Sequence, residues 1–374
     1  MTATFTIGLP QMHHEAGERR AFLPSFVAHM ERLGARVTLE TGYGAGMGYR
    51  PGDYRRAAPG VRFAPLEEVF SQDYVLVVRY PSDAEIDLMR PGACLITMSH
   101  YPTRPERVAD LRQRGLEVIS LDSIKDDVGR RLIENLRSVA WNGVEVAFQV
   151  LAESYPVPGF ISPQRPPIRV TLVGGGAVGS HVMGAAIHYG DDALRRRMVE
   201  LGAPGVQVTV VDYDLTGHHT VMRQILANTD ILVDATQRPD PSRVVIPNDW
   251  LDDMPQHAVL VDLSVDPCDC TVDPPKVKGI EGIPQGNLDQ YIFWPDDPAW
   301  DHGMPCLSAR HRRTVVSCYS WPGLHPKACM EVYGHQMRPI MRALISHGGL
   351  AGIDPHGRFF ERAIARAQLS RWTI

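Results

Sequence analysis

Ile168-Arg169-Val170-Thr171-Leu172-Val173-Gly174-Gly175-Gly176-Ala177-Val178-Gly179 is the stretch on which the fold turns. Its first six residues form a β-branched, apolar run of the kind that fills a buried parallel strand. The glycines that follow are spaced G-x-G-x-x-G, at Gly174, Gly176 and Gly179. Each answers a physical need. Gly174 allows a tight turn, Gly176 lets backbone approach a pyrophosphate, and Gly179 lets the next helix pack closely on the strand. The start of that helix offers unpaired N–H groups and a partial positive charge to an anion. The motif alone is weak; a strand before it and a helix after it give it the context of a dinucleotide-binding turn. A second strand, Val208 to Val211, ends in Asp212, an acid placed to accept hydrogen bonds from ribose hydroxyls and to repel a 2′-phosphate. That favours NAD over NADP. Asp212 lies further from the glycines than the usual ~20 residues, so Asp191 to Gly205 reads as an insertion in the crossover. The competing reading is a glycine-rich turn with no cofactor.

Outward from this turn the chain alternates strands and helices, the pattern of an α/β fold. Before it come strand-like runs at Phe5–Leu9, Arg36–Glu40, Tyr74–Val78, Cys94–Met98 and Glu117–Leu121, with helices begun by Pro24 and Pro105. A long helical stretch is expected from about Asp127 to Glu153. The proline-rich run Tyr155–Pro167 reads as a linker between domains. After the turn, Val206–Val211, Ile231–Ala235 and Val259–Val265 are further strands. Residues 271–312 are rich in Pro, Asp and Trp without periodicity and read as an insertion or lid, and a last helix is expected over about His325–His347.

The 374 residues exceed one ordinary core, so two domains are expected. Formal net charge is −5, which argues against a general nucleic-acid binder. No apolar run reaches the ~20 residues of a membrane span, and the N-terminus has no secretory pattern. Six cysteines are too few for a disulfide scaffold, so reduced thiols and a cytoplasmic location are expected. Cys268, Cys270, Cys306 and His302 lack the spacing of a structural zinc site, and no metal is expected. His13-His14 and His218-His219 read as loop residues, and Arg195-Arg196-Arg197 as a solvated helix face.

Other segments resemble the alanine dehydrogenase / transhydrogenase family, which also takes in carboxyethylornithine synthase and the lysine-forming saccharopine dehydrogenases. They are Ile7-Gly8-Leu9-Pro10, Glu18 to Pro24, Glu40 to Tyr49, Val77-Val78-Arg79, Ser99-His100, the glycine turn, Val261 to Asp266 and Trp321-Pro322-Gly323. The resemblance implies two Rossmann-like domains, with an NAD domain (136–323) inserted into a discontinuous substrate domain (1–135 and 324–374). It implies that Arg20 binds the substrate carboxylate, with Arg19 as the neighbour to be told apart from it. A guanidinium suits that role because two parallel charge-assisted bonds fix a carboxylate. It implies that His100 polarises a carbonyl or imine and relays a proton. Asp266 would hold the substrate amine or orient the cofactor, although Pro267-Cys268-Asp269-Cys270 departs from the family's glycine pair. Arg79 stands where the family has a lysine, and arginine cannot give up its proton. Arg79 can therefore clamp a second oxyanion but cannot be a base. The resemblance also implies a homo-oligomer, a dimer being favoured.

These readings converge on an NAD-dependent oxidoreductase. Hydride would pass to or from the α-carbon of an amino acid, a 2-oxo acid or imine, or an opine-like N-substituted amino acid. Gly174, Gly176, Ala177, Val178, Gly179 and Asp212 would hold the cofactor, and a small carboxylate-bearing molecule would be the partner. The alternatives are a non-redox cyclodeaminase or lyase that keeps NAD bound, and a catalytically silent NAD-binding protein.

Overall fold

A computed structural model describes residues 5–265, 268–302 and 306–372. The chain divides into two units, Met1–Asn135 with His325–Ile374, and Leu136–Leu324.

The first unit is built on strands β1 (Thr6–Leu9), β2 (Arg36–Glu40), β3 (Arg62–Ala64), β4 (Tyr74–Leu76), β5 (Cys94–Thr97) and β6 (Glu117–Ser120). Their order is β3-β2-β1-β4-β5-β6, all parallel. This order reverses direction between β1 and β4, and such sheets bind ligands at that switch point, outside the carboxyl ends of the strands. The helix Pro24–Arg32 begins with proline at its first position and is followed by Gly34 at φ +97°. It buries Phe26, Val27 and Met30 on one face. The last long helix, Pro326–Ser346, carries Met330, Tyr333, Met337, Ile340, Met341 and Leu344 at helical spacing into the same core. Each such burial contributes about 1.5–3 kcal/mol, which explains why the chain returns to this unit.

The helix expected from Asp127 instead runs Leu136–Ser154. Asp126 accepts hydrogen bonds from the N–H groups of Val128 and Arg130, and Gly129 sits at φ +85°. These local bonds hold 125–131 as a turn, because a short acceptor side chain competes with helical pairing.

The second unit contains β7 (Ile168–Val173), β8 (Val206–Val211), β9 (Ile231–Asp234), β10 (Val259–Asp262), β11 (Ile292–Phe293) and β12 (Thr314–Ser317), in the order β11-β12-β10-β9-β7-β8. Only β11 is antiparallel. The crossover from β7 to β8 contains two helices, Gly179–Ile187 and Asp192–Glu200, and the second accounts for the long spacing to Asp212. Arg195, Arg196 and Arg197 are exposed on it. The sheet switches direction between β7 and β9.

The structure corrects three expectations. The proline-rich run Tyr155–Pro167 is no linker between domains but lies inside this unit. Buried Arg165 fastens it, donating to the carbonyls of Phe160 at 2.5 Å and Pro166 at 2.9 Å. Of the two readings of residues 271–312, insertion or lid, the described part is no lid: it supplies β11, and Trp300 is buried with its indole N–H on the Trp294 carbonyl at 3.0 Å. Nor are all thiols reduced, since Cys270 and Cys306 form a disulfide. Among the described residues no helix is long and apolar enough to cross a membrane.

Candidate functional site

In the second unit the glycine turn has the geometry that its spacing requires. Gly174 lies at φ +95°, and a Cβ there would come within 2.8 Å of the Ala235 carbonyl oxygen. A Cβ on Gly179 would strike the Gly174 carbonyl oxygen, whereas a Cβ on Gly176 would meet nothing within 4 Å. The first and third glycines are thus dictated by packing, and the second leaves open space beside the backbone. Next to this turn is a cavity of about 650 Å³, reached by Gly174, Asp212, Tyr213, Thr236, Arg238 and Trp250. It lies at the carboxyl ends of β7, β8 and β9, and its size suits a nucleotide. Asp212 follows β8, and its carboxylate accepts the N–H of Tyr213 at 2.9 Å. The residues present therefore fit a dinucleotide.

Deeper in this unit is a buried charge cluster that the sequence reading missed. Lys278 donates to Asp262 at 2.5 Å and also to Gln285. Ser317 donates to the same carboxylate at 3.0 Å, and Ser264 joins Asp262 at 3.0 Å to Asp234 at 3.3 Å. Burial would raise Asp262, but the charge and hydrogen bond of Lys278 prevail and hold it low. At Asp234, burial, then the Asp262 charge, outweighs the Thr236 hydrogen bonds and the Arg238 charge and pushes it up to about 6. Asp266 lies outside the described residues.

In the first unit the predicted residues stand at strand ends. The β1 end opens into the loop that carries Glu15, Glu18, Arg19 and Arg20, the β4 end runs to Arg79, and the β5 end runs to His100. Arg19 is exposed, whereas the Arg20 side chain is only 2% exposed. Arg20 pairs with equally buried Glu18 at 2.5 Å. Burial opposes both charges, but the hydrogen bonds and charge of each partner outweigh it, so Arg20 is held above and Glu18 below its ordinary range. Arg79 pairs with Glu15. Arg20 and Arg79 both lie within electrostatic reach of the buried Tyr333 hydroxyl, which brings them to one region of this unit.

His100 holds a left-handed backbone conformation, φ 52° and ψ 48°, which a residue with a Cβ adopts at a cost of roughly 1–2 kcal/mol. Asp122, just beyond β6, fixes it there. Its carboxylate accepts the His100 N–H at 3.1 Å and the Ser120 hydroxyl at 2.7 Å, and it lies 3.4 Å from the His100 Nδ1. Burial would raise Asp122; the His100 ring, Ser120 and the backbone N–H outweigh it and hold it well below the usual carboxylate range. Asp122, Glu18 and Glu15 were missed in the sequence, although an acid two residues past a strand end, as in Ser120-Leu121-Asp122, was a usable signal.

A strand, glycine turn and helix at a switch point, with a nucleotide-sized cavity beside them, define an α/β protein with a Rossmann-type dinucleotide-binding unit. Residues 8–140 match the model of the family described as "Alanine dehydrogenase/PNT, N-terminal domain". The chain is 24% identical over 273 residues to alanine dehydrogenase of Bacillus subtilis, covering 70% of each chain. Its fold is that of a solved L-alanine dehydrogenase, with TM-score 0.72 and 20% identity over 97% of this chain and 94% of that one. A solved transhydrogenase from Sinorhizobium meliloti follows at TM-score 0.61 and 18% identity, covering 89% and 93%.

Proposed function

We propose that the protein is an NAD-dependent oxidoreductase that moves a hydride to or from the α-carbon of an amino acid or its 2-oxo acid or imine counterpart. The observation that carries this reading is the glycine turn beside the cavity that Asp212 lines. The similarity to alanine dehydrogenases supports it. N-substituted, opine-like amino acids share the reacting CH–NH centre and stay within the proposal.

When bound, NAD supplies the hydride acceptor. The turn around Gly176 would seat the pyrophosphate against helix N–H groups, and Asp212 would hold the ribose. Arg20 would hold the substrate carboxylate, and its buried pairing with Glu18 keeps the guanidinium charged and fixed. His100 would hold or move the proton at the carbonyl or imine, with Asp122 fixing its backbone and facing its ring. Arg79 stays a cation and exchanges no proton. Asp266 would orient the amine or the cofactor, on the strength of the sequence resemblance.

The test is absorbance at 340 nm with NAD and single amino acids, and with NADH, ammonium or an amine, and 2-oxo acids. Cofactor turnover with at least one pair is expected. NAD binding without turnover of any pair would overturn the redox reading, and ammonia release without net NADH would replace it with a non-redox enzyme.

A further inference from the structure

The cations at the strand ends of the first unit are not electrically equivalent. Arg20 has Glu18, Arg79 has Glu15 and His100 has Asp122. Among the described residues Arg107 has no such partner. It lies on the helix Pro105–Gln113, and its guanidinium stacks 3.7 Å from the centre of the Tyr80 ring. One of its N–H groups donates to the Ser99 carbonyl at 3.3 Å. Tyr80 follows Arg79, and Ser99 precedes His100, so Arg107 is braced between the two strand ends that carry the site.

Among the described residues no carboxylate comes within ion-pairing distance of Arg107. Asp110, one turn along the helix, is engaged by Arg114 at 2.7 Å. Arg104 is similar: its guanidinium donates to the neighbouring Thr103 carbonyl and, among the described residues, pairs with no carboxylate. Burial, together with the nearby charges of Arg104 and Arg79, disfavours the Arg107 cation and prevails over the attraction of Tyr80 and Glu106. Arg104 and Arg79 thus each lie within electrostatic reach of Arg107, and among the described residues only Arg79 of the three is paired with a carboxylate. A half-buried excess of positive charge held by a ring and a backbone carbonyl is the arrangement that receives an anion.

We propose that Arg107, assisted by Arg104, receives the distal acidic group of the substrate, so that the protein takes a 2-oxo or 2-amino acid with a second carboxylate. The proposal rests on the reading of this unit as the substrate site of an amino-acid dehydrogenase. It assigns Arg107 to specificity and leaves proton transfer to His100. Tyr80 holds the guanidinium from behind, so the stacked geometry and not charge alone defines the subsite.

The experiment compares kcat/KM for pyruvate, oxaloacetate and 2-oxoglutarate with NADH and ammonium, in the unaltered protein and in Arg107→Met and Arg107→Lys. A dicarboxylic acid preferred over pyruvate by about tenfold or more is expected, the size of a charged hydrogen bond. Arg107→Met should lower that ratio about tenfold through KM, and Arg107→Lys should restore part of it. A ratio near one in the unaltered protein, or a ratio that Arg107→Met leaves unchanged, overturns the proposal. If no pair turns over, the redox reading fails separately, and calorimetric titration with glutarate against butyrate decides the subsite. Glutarate binding that is at least tenfold tighter and is lost in Arg107→Met supports it; equal affinity, or no binding of either, overturns it.

Discussion

Asp122 joins a buried carboxylate to a strained histidine, and its effect depends on pH in a definite direction. Its proton affinity in the folded chain lies below the ordinary value. The stability it contributes is therefore present above the unfolded pKa, near 4, and is lost as pH falls below that. Asp122→Asn should cost about 1.5–3 kcal/mol at pH 7 by denaturant unfolding, and the difference from the unaltered protein should shrink below pH 4. If His100 works as proposed, the same variant should lower turnover about 10- to 100-fold through its positioning. At Asp212, replacement by alanine should weaken NAD by ~1–3 kcal/mol in a fluorescence titration. Unchanged affinity would remove Asp212 from the ribose site. What was legible of single residues is their placement, with Arg79, His100 and Asp212 following strand ends. The carboxylates that face Arg79 and His100 were harder to read, because Glu15 and Asp122 meet them only when distant segments come together, whereas Glu18 lies two residues from Arg20 and stood out by no pattern of its own.

Among the elements, residues 271–312 defeated periodicity because they pack by particular contacts. Lys278 plugs the carboxyl end of β10, and Gly279 lies so close to Asp234 that a Cβ would collide with its carboxylate. Gly279→Ala should therefore destabilise the second unit by about 1–3 kcal/mol, read as a shift in thermal midpoint. Asp234 is the opposite case to Asp122. Its folded pKa is raised to about 6, so the folded chain binds the extra proton between about pH 4 and 6. Stability from this group is full below pH 4 and falls as pH rises through 6. Asp234→Asn should remove that falling limb; a limb of equal slope in the variant would assign it elsewhere. The strands themselves were readable, since parallel strands buried on both faces are continuous runs of Val, Ile and Leu. The false start of the long helix at Asp127 came from ignoring how strongly Asp126 and Gly129 favour a turn.

At the scale of the molecule, two parallel-sheet units were legible from alternating elements, and the insertion of one in the other came through the resemblance. Composition could not show where the chain crosses, and the proline-rich run drew attention to the wrong place. The first unit depends on its distant end. Ending the chain after Leu324 would strip Met330, Tyr333, Met337, Ile340 and Leu344 from its core. Such a truncation should unfold the first unit while leaving NAD binding by Leu136–Leu324, as followed by circular dichroism and cofactor titration.

The same interruption orders events during synthesis. The ribosome delivers β1 to β6 early, but the helix that seals them emerges only after the whole second unit. At ~5–20 residues per second, the open sheet waits roughly ten to forty seconds for its cover. Throughout that interval the part of the core that Pro326–Ser346 covers stands open while the nucleotide unit closes first, so nascent chains of this protein should be clients of holdase chaperones bound to the earlier-made unit.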